Sequence, residues 1–183
     1  MGHIIHLINI VMRKLFLTAV IALLSIGAFA QEGQAYLGGQ LAYPTDIKSL
    51  GVGLKGGYGI TDAIRTQATF DYYLKKNNAS WWDFNLDVHY LFSLGDNIKV
   101  YPLAGLTYLR GSVDGFTQTV STPAGSITVG SNESHSDGNL GVNLGGGFQY
   151  DLSEKFALNA EVKFQIIKNS NQGVISAGFL YKF

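Results

Sequence analysis

Residues 81–92 read WWDFNLDVHYLF, an alternation of apolar and polar side chains over the length of one strand. From Trp82 to Phe92 every second residue is apolar, and the residues between them, as far as His89, are polar. Successive side chains of a β-strand point to opposite faces, so this segment has one apolar and one polar face. A tilted strand crosses a bilayer in about 9 to 11 residues. The stretch therefore predicts a membrane-spanning strand.

Seven further segments carry the same period of two. It is clear in residues 64–72, 138–152 and 156–166, and weaker in residues 35–43, 50–60, 98–110 and 173–183. An even number of antiparallel strands brings both chain termini to one side, and eight is the smallest number in barrels of the outer-membrane type. The sequence predicts an all-β fold, an eight-stranded antiparallel transmembrane β-barrel.

The predicted connections alternate between tight turns and other links, one of them long. Tight turns are expected at residues 60–62, 93–97 and 151–154, and the other links at residues 44–49, 75–80, 111–137 and 168–172. Barrels of this type have short periplasmic turns and longer external loops. We therefore expect both termini in the periplasm and residues 111–137 outside the cell. Within that loop, residues 117–122 and 126–129 flank Pro123-Ala124-Gly125 and predict a hairpin.

Aromatic residues are expected in two girdles at the ends of the strands. Those predicted near the outer ends are Tyr43, Tyr72, Trp81, Trp82 and Tyr108. Those predicted near the inner ends are Tyr58, Tyr90, Phe92, Phe148, Tyr150, Phe156, Phe179, Tyr181 and Phe183.

The first thirty residues predict a cleavable signal peptide behind a short upstream extension. Arg13 and Lys14 precede an apolar run that ends at Ala28-Phe29-Ala30, a small-x-small cleavage site. A single anchoring helix would instead bury the two basic residues, at about 2.5 to 3.5 kcal/mol each. The expected organisation is residues 1–30 as extension and signal peptide, and residues 31–183 as the barrel domain.

Composition excludes several function classes. Thirteen basic and thirteen acidic residues give no net charge, so nothing indicates nucleic acid as a partner. Cysteine is absent, which excludes disulfides, thiolate metal sites and a lipoprotein anchor. Two of the four histidines lie in the predicted leader, so we expect no metal and no cofactor.

Charged residues at inward positions form the main candidate site. They are Lys55, Arg65, Asp71, Asp83, Asp87, Glu161 and Lys163, with Lys99 near the inner mouth. An eight-stranded barrel is just wide enough for side chains to fill it, so we expect these charges to pair. The network either only stabilises the barrel or forms a gate that opens to water and small ions. Inward glycines such as Gly57 and Gly147 either make room for long polar side chains or relieve sheet curvature.

The chain ends on Phe179, Tyr181 and Phe183, which resemble the C-terminal assembly signal of bacterial outer-membrane barrels. This C-terminal pattern and glycine-rich strands, such as residues 51–53 and 145–147, make the chain resemble a known family. It is the small outer-membrane β-barrel family that includes the OmpA transmembrane domain, OmpX and Ail. The resemblance implies a monomer in the outer membrane of a Gram-negative bacterium, folded by the barrel assembly machinery and surrounded by lipid and lipopolysaccharide. A lipocalin-like soluble barrel is the structural alternative, with its apolar face inward.

Two groups could indicate chemistry, and neither favours an enzyme. Ser134-His135-Ser136-Asp137 contains the residue types of a catalytic triad, but neighbours on one loop do not normally meet its geometry. His89 lies on the inward face with Asp87, where a polar lumen filler is the simpler interpretation.

The leading functional hypothesis is a non-enzymatic envelope or surface protein of the adhesion type. Its lumen is filled by side chains, and its exposed loops, above all residues 111–137, bind an unidentified surface ligand. The alternatives are a small gated porin and a lipid A-modifying outer-membrane enzyme.

Overall fold

The computed structural model describes residues 33–76, 79–113, 117–122, 125–130, 135–168 and 170–183. The predicted extension and signal peptide, residues 1–30, lie outside them and stay a prediction. The described strands are β1 (Ala35–Pro44), β2 (Gly51–Gly59), β3 (Ile64–Lys76), β4 (Ala79–Tyr90), β5 (Phe92–Ser93), β6 (Ile98–Val113), β7 (Thr117–Thr122), β8 (Gly125–Gly130), β9 (His135–Asp151), β10 (Phe156–Ile167) and β11 (Gln172–Lys182).

Eight of these strands form a closed antiparallel barrel. The order of neighbours is β4-β3-β2-β1-β11-β10-β9-β6, and pairing between β4 and β6 closes the wall. The short β5 pairs with β6, as β4 does, so β5 continues the wall strand that β4 begins. The predicted eight-stranded barrel is confirmed. Among the described residues, no helix is both long and apolar enough to cross a membrane.

The wall strands next to the long loop extend further than the sequence predicts. β6 runs to Val113 and β9 begins at His135, and these two residues pair with each other. Val113 also pairs with Ala79, where β4 begins. Backbone pairing thus continues beyond the residues whose side chains alternate. Between β6 and β9, β7 and β8 pair in a separate two-stranded sheet, which confirms the predicted hairpin.

The two faces of the wall have opposite chemistry. Large apolar side chains such as Leu54, Leu106 and Val162 are exposed on the outside. Buried polar side chains such as Gln67, Asn85 and Gln165 fill the inside. A soluble barrel would have its apolar face inward, so the lipocalin-like alternative does not fit.

The barrel has a termini end and a loop end. Backbone N–H of Phe183 donates to the carbonyl of Ala35, which places the first strand and the last residue together at the termini end. The turns at residues 60–63, 94–97 and 152–155 also lie there. The loop end carries the connections that follow β1, β3, β6 and β10.

Candidate functional site

Seven charged residues predicted for the lumen all point inward and are buried. Side chains alternate between the two faces of a strand, and each of these residues lies on the face opposite to the exposed apolar side chains. They come from four strands, β2, β3, β4 and β10, and are Lys55, Arg65, Asp71, Asp83, Asp87, Glu161 and Lys163. Their function stays a prediction.

Two ion pairs occupy the middle of the lumen. Lys163 Nζ lies 3.0 Å from Asp87 Oδ2, and Asn143 Nδ2 donates to the other oxygen of Asp87 at 2.8 Å. Lys55 Nζ lies 3.7 Å from Glu161 Oε2, too far for a hydrogen bond. The first pair is therefore the more tightly held of the two.

Glu161 is the most connected carboxylate of the lumen. Its Oε1 accepts from the Tyr101 hydroxyl at 2.9 Å, from Gln67 Nε2 at 3.2 Å and from Asn159 Nδ2 at 3.2 Å. Together with the cation of Lys55, these partners come from four different strands. Glu161 thus links opposite walls of the barrel.

Asp71 and Asp83 lie opposite each other on β3 and β4 and have uncharged partners. Gln40 Nε2 donates to both oxygens of Asp71, at 2.8 and 2.9 Å. Asp83 accepts from the Tyr73 hydroxyl at 2.7 Å and from Asn85 Nδ2 at 2.8 Å. The expected pairing of every inward charge therefore does not hold for this part of the lumen. Amide and hydroxyl donors replace cations here.

Arg65 also lacks a carboxylate partner among the described residues. Its Nε donates to His89 Nδ1 at 3.0 Å, and its Nη1 donates to Gln149 Oε1. The guanidinium lies between the rings of Tyr36 and Tyr101, 5.1 and 4.6 Å from their centroids. Cation–π contact partly replaces an anion. His89 is thus engaged by Arg65 rather than by Asp87.

Glycines opposite the large lumen side chains provide the space for them. A Cβ on Gly57 would collide with the Tyr36 hydroxyl, and one on Gly147 would lie 2.5 Å from the Tyr101 ring. Each glycine is the direct cross-strand neighbour of its tyrosine. The groups accommodated at these two positions are aromatic rings, not the long Lys, Arg or Gln side chains that the sequence suggested.

An apolar layer crosses the lumen at the loop end, and we call it the apolar ring. Its members are Ala42, Tyr73, Leu109, Ile167 and Val174, with Trp81 packed against them. The prediction that Trp81 belongs to the outer girdle is therefore wrong. Trp81 has the same inward direction as Asp83, whereas Trp82 faces outward beside Phe70 and Tyr108, with ring centroids 5.7 Å apart in each pair.

The Ser-His-Asp group at the start of β9 is only partly described. Ser134 lies outside the described residues, as does the side chain of His135. Ser136 Oγ accepts from Arg110 Nη2 at 3.1 Å, and Asp137 Oδ2 accepts from Asn139 Nδ2 at 3.2 Å. Within the described parts of the chain, no group of three His, Cys, Asp or Glu side chains is arranged to hold a metal ion.

Comparison with known proteins identifies the family. Residues 16–183 match the model of the outer membrane protein beta-barrel domain. The chain belongs to this family. Its members span the outer membrane of Gram-negative bacteria, so the lipid-facing interpretation of the exposed apolar side chains applies. None of the curated proteins matches the chain.

Solved structures of outer-membrane barrels share this fold at low sequence identity. The N-terminal β-barrel domain of Pseudomonas aeruginosa OprF superposes with a TM-score of 0.63 at 18% identity, covering 83% of this chain and 98% of that domain. Ail of Yersinia pestis gives 0.57 at 14% identity, with 84% and 100% covered. Neisserial surface protein A gives 0.56 at 20% identity, with 82% and 97% covered. These similarities show the fold alone.

The termini end of this outer-membrane barrel has two features on its rim. Phe179 and Phe183 are exposed on the lipid face, and Tyr181 contacts Phe156 and Phe183 edge to face at 5.2 and 5.1 Å. On the inner side, Asp151 pairs with Lys182 at 3.2 Å and with Lys99 at 3.5 Å. Sequence reasoning included Lys99 but missed its partner Asp151 and the second lysine of that carboxylate, Lys182. The inward direction of Lys182, between two outward aromatic residues, was the available indication.

Proposed function

We propose that this protein is a closed, non-enzymatic outer-membrane barrel whose loop end is a binding surface outside the cell. The observation that carries the proposal is the filled lumen. Buried side chains joined by hydrogen bonds connect strands that are not neighbours at Glu161, Asp87 and Asp83, and the apolar ring lies above them. Such an interior leaves the loops, rather than a pore, as the part available to other molecules.

The loop end supports this role by its shape. β6 and β9 have 16 and 17 residues, whereas β2 has nine, and β7 and β8 form a further sheet between them. An antiparallel hairpin can bind an extended peptide by strand addition. We propose β7 and β8 as the centre of an adhesion-type contact.

The composition of the same loop restricts the ligand class. Residues 114–134 contain Asp114 and Glu133, no Lys or Arg, and eight Ser or Thr. Ail has been crystallised with the heparin analogue sucrose octasulfate, a polyanion. An acidic loop would repel such a ligand. We therefore propose an uncharged ligand bound by hydrogen bonds, such as a neutral glycan or an extended peptide.

Orientation and partners complete the proposal. Tight turns at the termini end and the long connection between β6 and β9 at the loop end support periplasmic termini. Lipopolysaccharide then surrounds the loop end, and Phe179, Tyr181 and Phe183 are the residues that we propose the barrel assembly machinery reads. The closed hydrogen-bonded wall needs no second chain, which supports a monomer.

Conductance tests the closed lumen directly. Residues 31–183, refolded in a planar bilayer, should form a folded barrel without discrete channel openings. Reproducible openings of the native barrel would contradict a closed lumen and favour the small gated porin. The 3.7 Å separation of Lys55 and Glu161, the looser of the central pairs, is the observation that keeps the porin as the second candidate.

Loop replacement tests the binding surface. Replacing residues 114–134 with a short Gly-Ser turn should abolish binding to immobilised neutral glycans or peptides, while the barrel still folds. A matched control replaces only the turn at residues 94–97 at the termini end. Loss of folding, or undiminished binding, would contradict the role of the loop. Unchanged lipid A in cells that express the native protein is the result expected of a non-enzymatic barrel, and altered lipid A would favour the enzyme.

A further inference from the structure

The apolar ring receives a contribution from every wall strand of the barrel. Six strands provide an apolar side chain: Ala42 from β1, Tyr73 from β3, Trp81 from β4, Leu109 from β6, Ile167 from β10 and Val174 from β11. The two others, β2 and β9, provide Gly51 and Gly141. A Cβ on Gly51 would lie 2.5 Å from the Tyr73 ring, and one on Gly141 would lie 2.6 Å from Ile167 Cγ1. Tyr73 and Ile167 therefore cover the positions where the wall has no side chain.

The termini end has no comparable layer among the described residues. Its apolar cluster consists of Tyr36, Ala157 and Leu180. These residues come from β1, β10 and β11, which are neighbours in the wall, so the cluster covers one side only. Around it lie Arg65, Gln149 and Asn159, whose side chains are polar.

Beneath the apolar ring, four adjacent strands present buried polar atoms with no hydrogen-bond partner among the described residues. They are Gln40 Oε1 on β1, Lys55 Nζ on β2, Thr69 Oγ1 on β3 and Ser176 Oγ on β11. Five further atoms of this kind lie elsewhere around the wall: Arg65 Nη2, His89 Nε2, Asn143 Oδ1, Asn159 Oδ1 and Gln172 Oε1. Buried polar groups in proteins are almost always hydrogen-bonded, to protein or to water. The four on β3, β2, β1 and β11 are neighbours in the wall, and buried polar atoms without a protein partner are the lining expected of a small hydrated chamber.

We propose that the apolar ring, and not the Lys55–Glu161 ion pair, is the barrier that stops water and ions at the loop end of the lumen. The region around Lys55 is then a hydrated chamber below a dry layer. This inference rests on the proposed closed barrel and states which residues close it. Hydrophobic constrictions block passage because water leaves them, whereas charged groups are compatible with water.

Tyr73 connects the two layers. Its ring is fully buried in the apolar ring, and its hydroxyl donates to Asp83 Oδ2 at 2.7 Å, on the polar side. The hydrogen bond fixes the ring across the lumen, so thermal motion of one aliphatic side chain does not open the layer. Ile47, from the connection after β1, packs against the ring from the loop end.

A single cysteine in the chamber provides the test, because the chain has no cysteine of its own. Ser176→Cys, in a barrel inserted in sealed lipid vesicles with its loop end outward, is exposed to silver ions added outside only, and the unreacted thiol is then titrated after unfolding. The rate is compared with that in the same barrel carrying Leu109→Ser and Ile167→Ser. Leu109→Met is the matched control, since it keeps the layer apolar. Lys55→Met tests the ion pair. Electrophoretic mobility without heating verifies that each variant is folded.

The expected result is a rise of about tenfold or more in the silver reaction rate with the two serine substitutions, equivalent to lowering the barrier by about 1.4 kcal/mol. The Leu109→Met and Lys55→Met barrels should react at the parent rate. A rise with Lys55→Met and none with the serine substitutions would overturn the inference and place the barrier at the ion pair. Equal rates in all variants would also overturn it, since the ring would not limit access. Channel openings of the native barrel would instead contradict the proposed closed lumen itself.

Discussion

The middle of the lumen and the rim at the termini end use the same lysine–carboxylate pair in different surroundings. Lys163 and Asp87 are 3.0 Å apart, with side chains 2% and 0% exposed. Lys99 and Asp151 are 3.5 Å apart, and the lysine side chain is 29% exposed. Solvent reaches the rim pair and can replace a lost partner there, whereas Lys163 and Asp87 are enclosed by the wall of the barrel. We therefore expect burial, more than distance, to decide how much each pair contributes to the free energy of unfolding.

Contacts across the barrel also stabilise the middle of the lumen. Its network connects residues that are far apart in sequence, such as Lys163 and Asp87, 76 positions apart. These contacts form only when the barrel closes. The rim pairs join Asp151, the last residue of β9, to Lys182 on β11 and to Lys99 on β6. Substitutions in the two regions should separate the contributions of charge, packing and exposure.

Removing the buried cation should have the largest effect. Lys163→Met keeps the length of the side chain but leaves Asp87 with an uncompensated charge, which costs about 3 to 5 kcal/mol in buried pairs. We expect a loss of that size in the free energy of unfolding, measured by urea titration of tryptophan fluorescence in lipid vesicles. The double variant Lys163→Met/Asp87→Asn is the control and should recover most of the loss. A single variant as stable as the native barrel would contradict the importance of burial.

Crowding the lumen should have an intermediate effect without changing any charge. Gly57→Ala places a methyl group against the Tyr36 hydroxyl and the backbone carbonyl oxygen of Thr66. Overpacking of this kind costs about 1 to 3 kcal/mol. Gly56→Ala is the matched control, because its methyl group points outward and would meet Leu37 Cδ1 at an ordinary 3.4 Å. Equal stability of the two variants in the same urea titration would show that the lumen has space for the added methyl group.

The alternation of apolar and polar residues was sufficient to predict the wall of the barrel and the inward charges. Alternation is a local property, and it fixed the direction of Asp87, Glu161 and Lys163 without knowledge of their partners. The partners themselves depend on contacts across the lumen. Arg65 and Gln149, for instance, are 84 positions apart. No local pattern links them, so the prediction that each inward charge pairs with another charge could not be checked from sequence.

Aromatic residues were assigned to the girdles with one error, Trp81, because aromatic side chains suit both lipid and a packed lumen. Tyr36, Tyr73 and Tyr101 point inward, and Trp81 belongs to the apolar ring rather than the outer girdle. Trp81 lies two positions from Asp83 on the same strand, so the alternation alone was enough to predict an inward side chain. The glycine opposite each tyrosine was visible in the sequence, but its pairing depends on strand register. The apolar ring was therefore missed as a unit.

Removing a rim cation should have the smallest effect and so defines the other limit of the comparison. Lys99→Ala takes away one of two lysines near Asp151, and Lys182 stays 3.2 Å from that carboxylate. Partly exposed pairs contribute about 0 to 1 kcal/mol, and salt weakens them further. We expect a loss within that range, smaller at high salt, in the titration used for Lys163→Met. A loss as large as that of Lys163→Met would mean that exposure to water does not weaken the rim pair, and burial would no longer explain the difference between the two pairs.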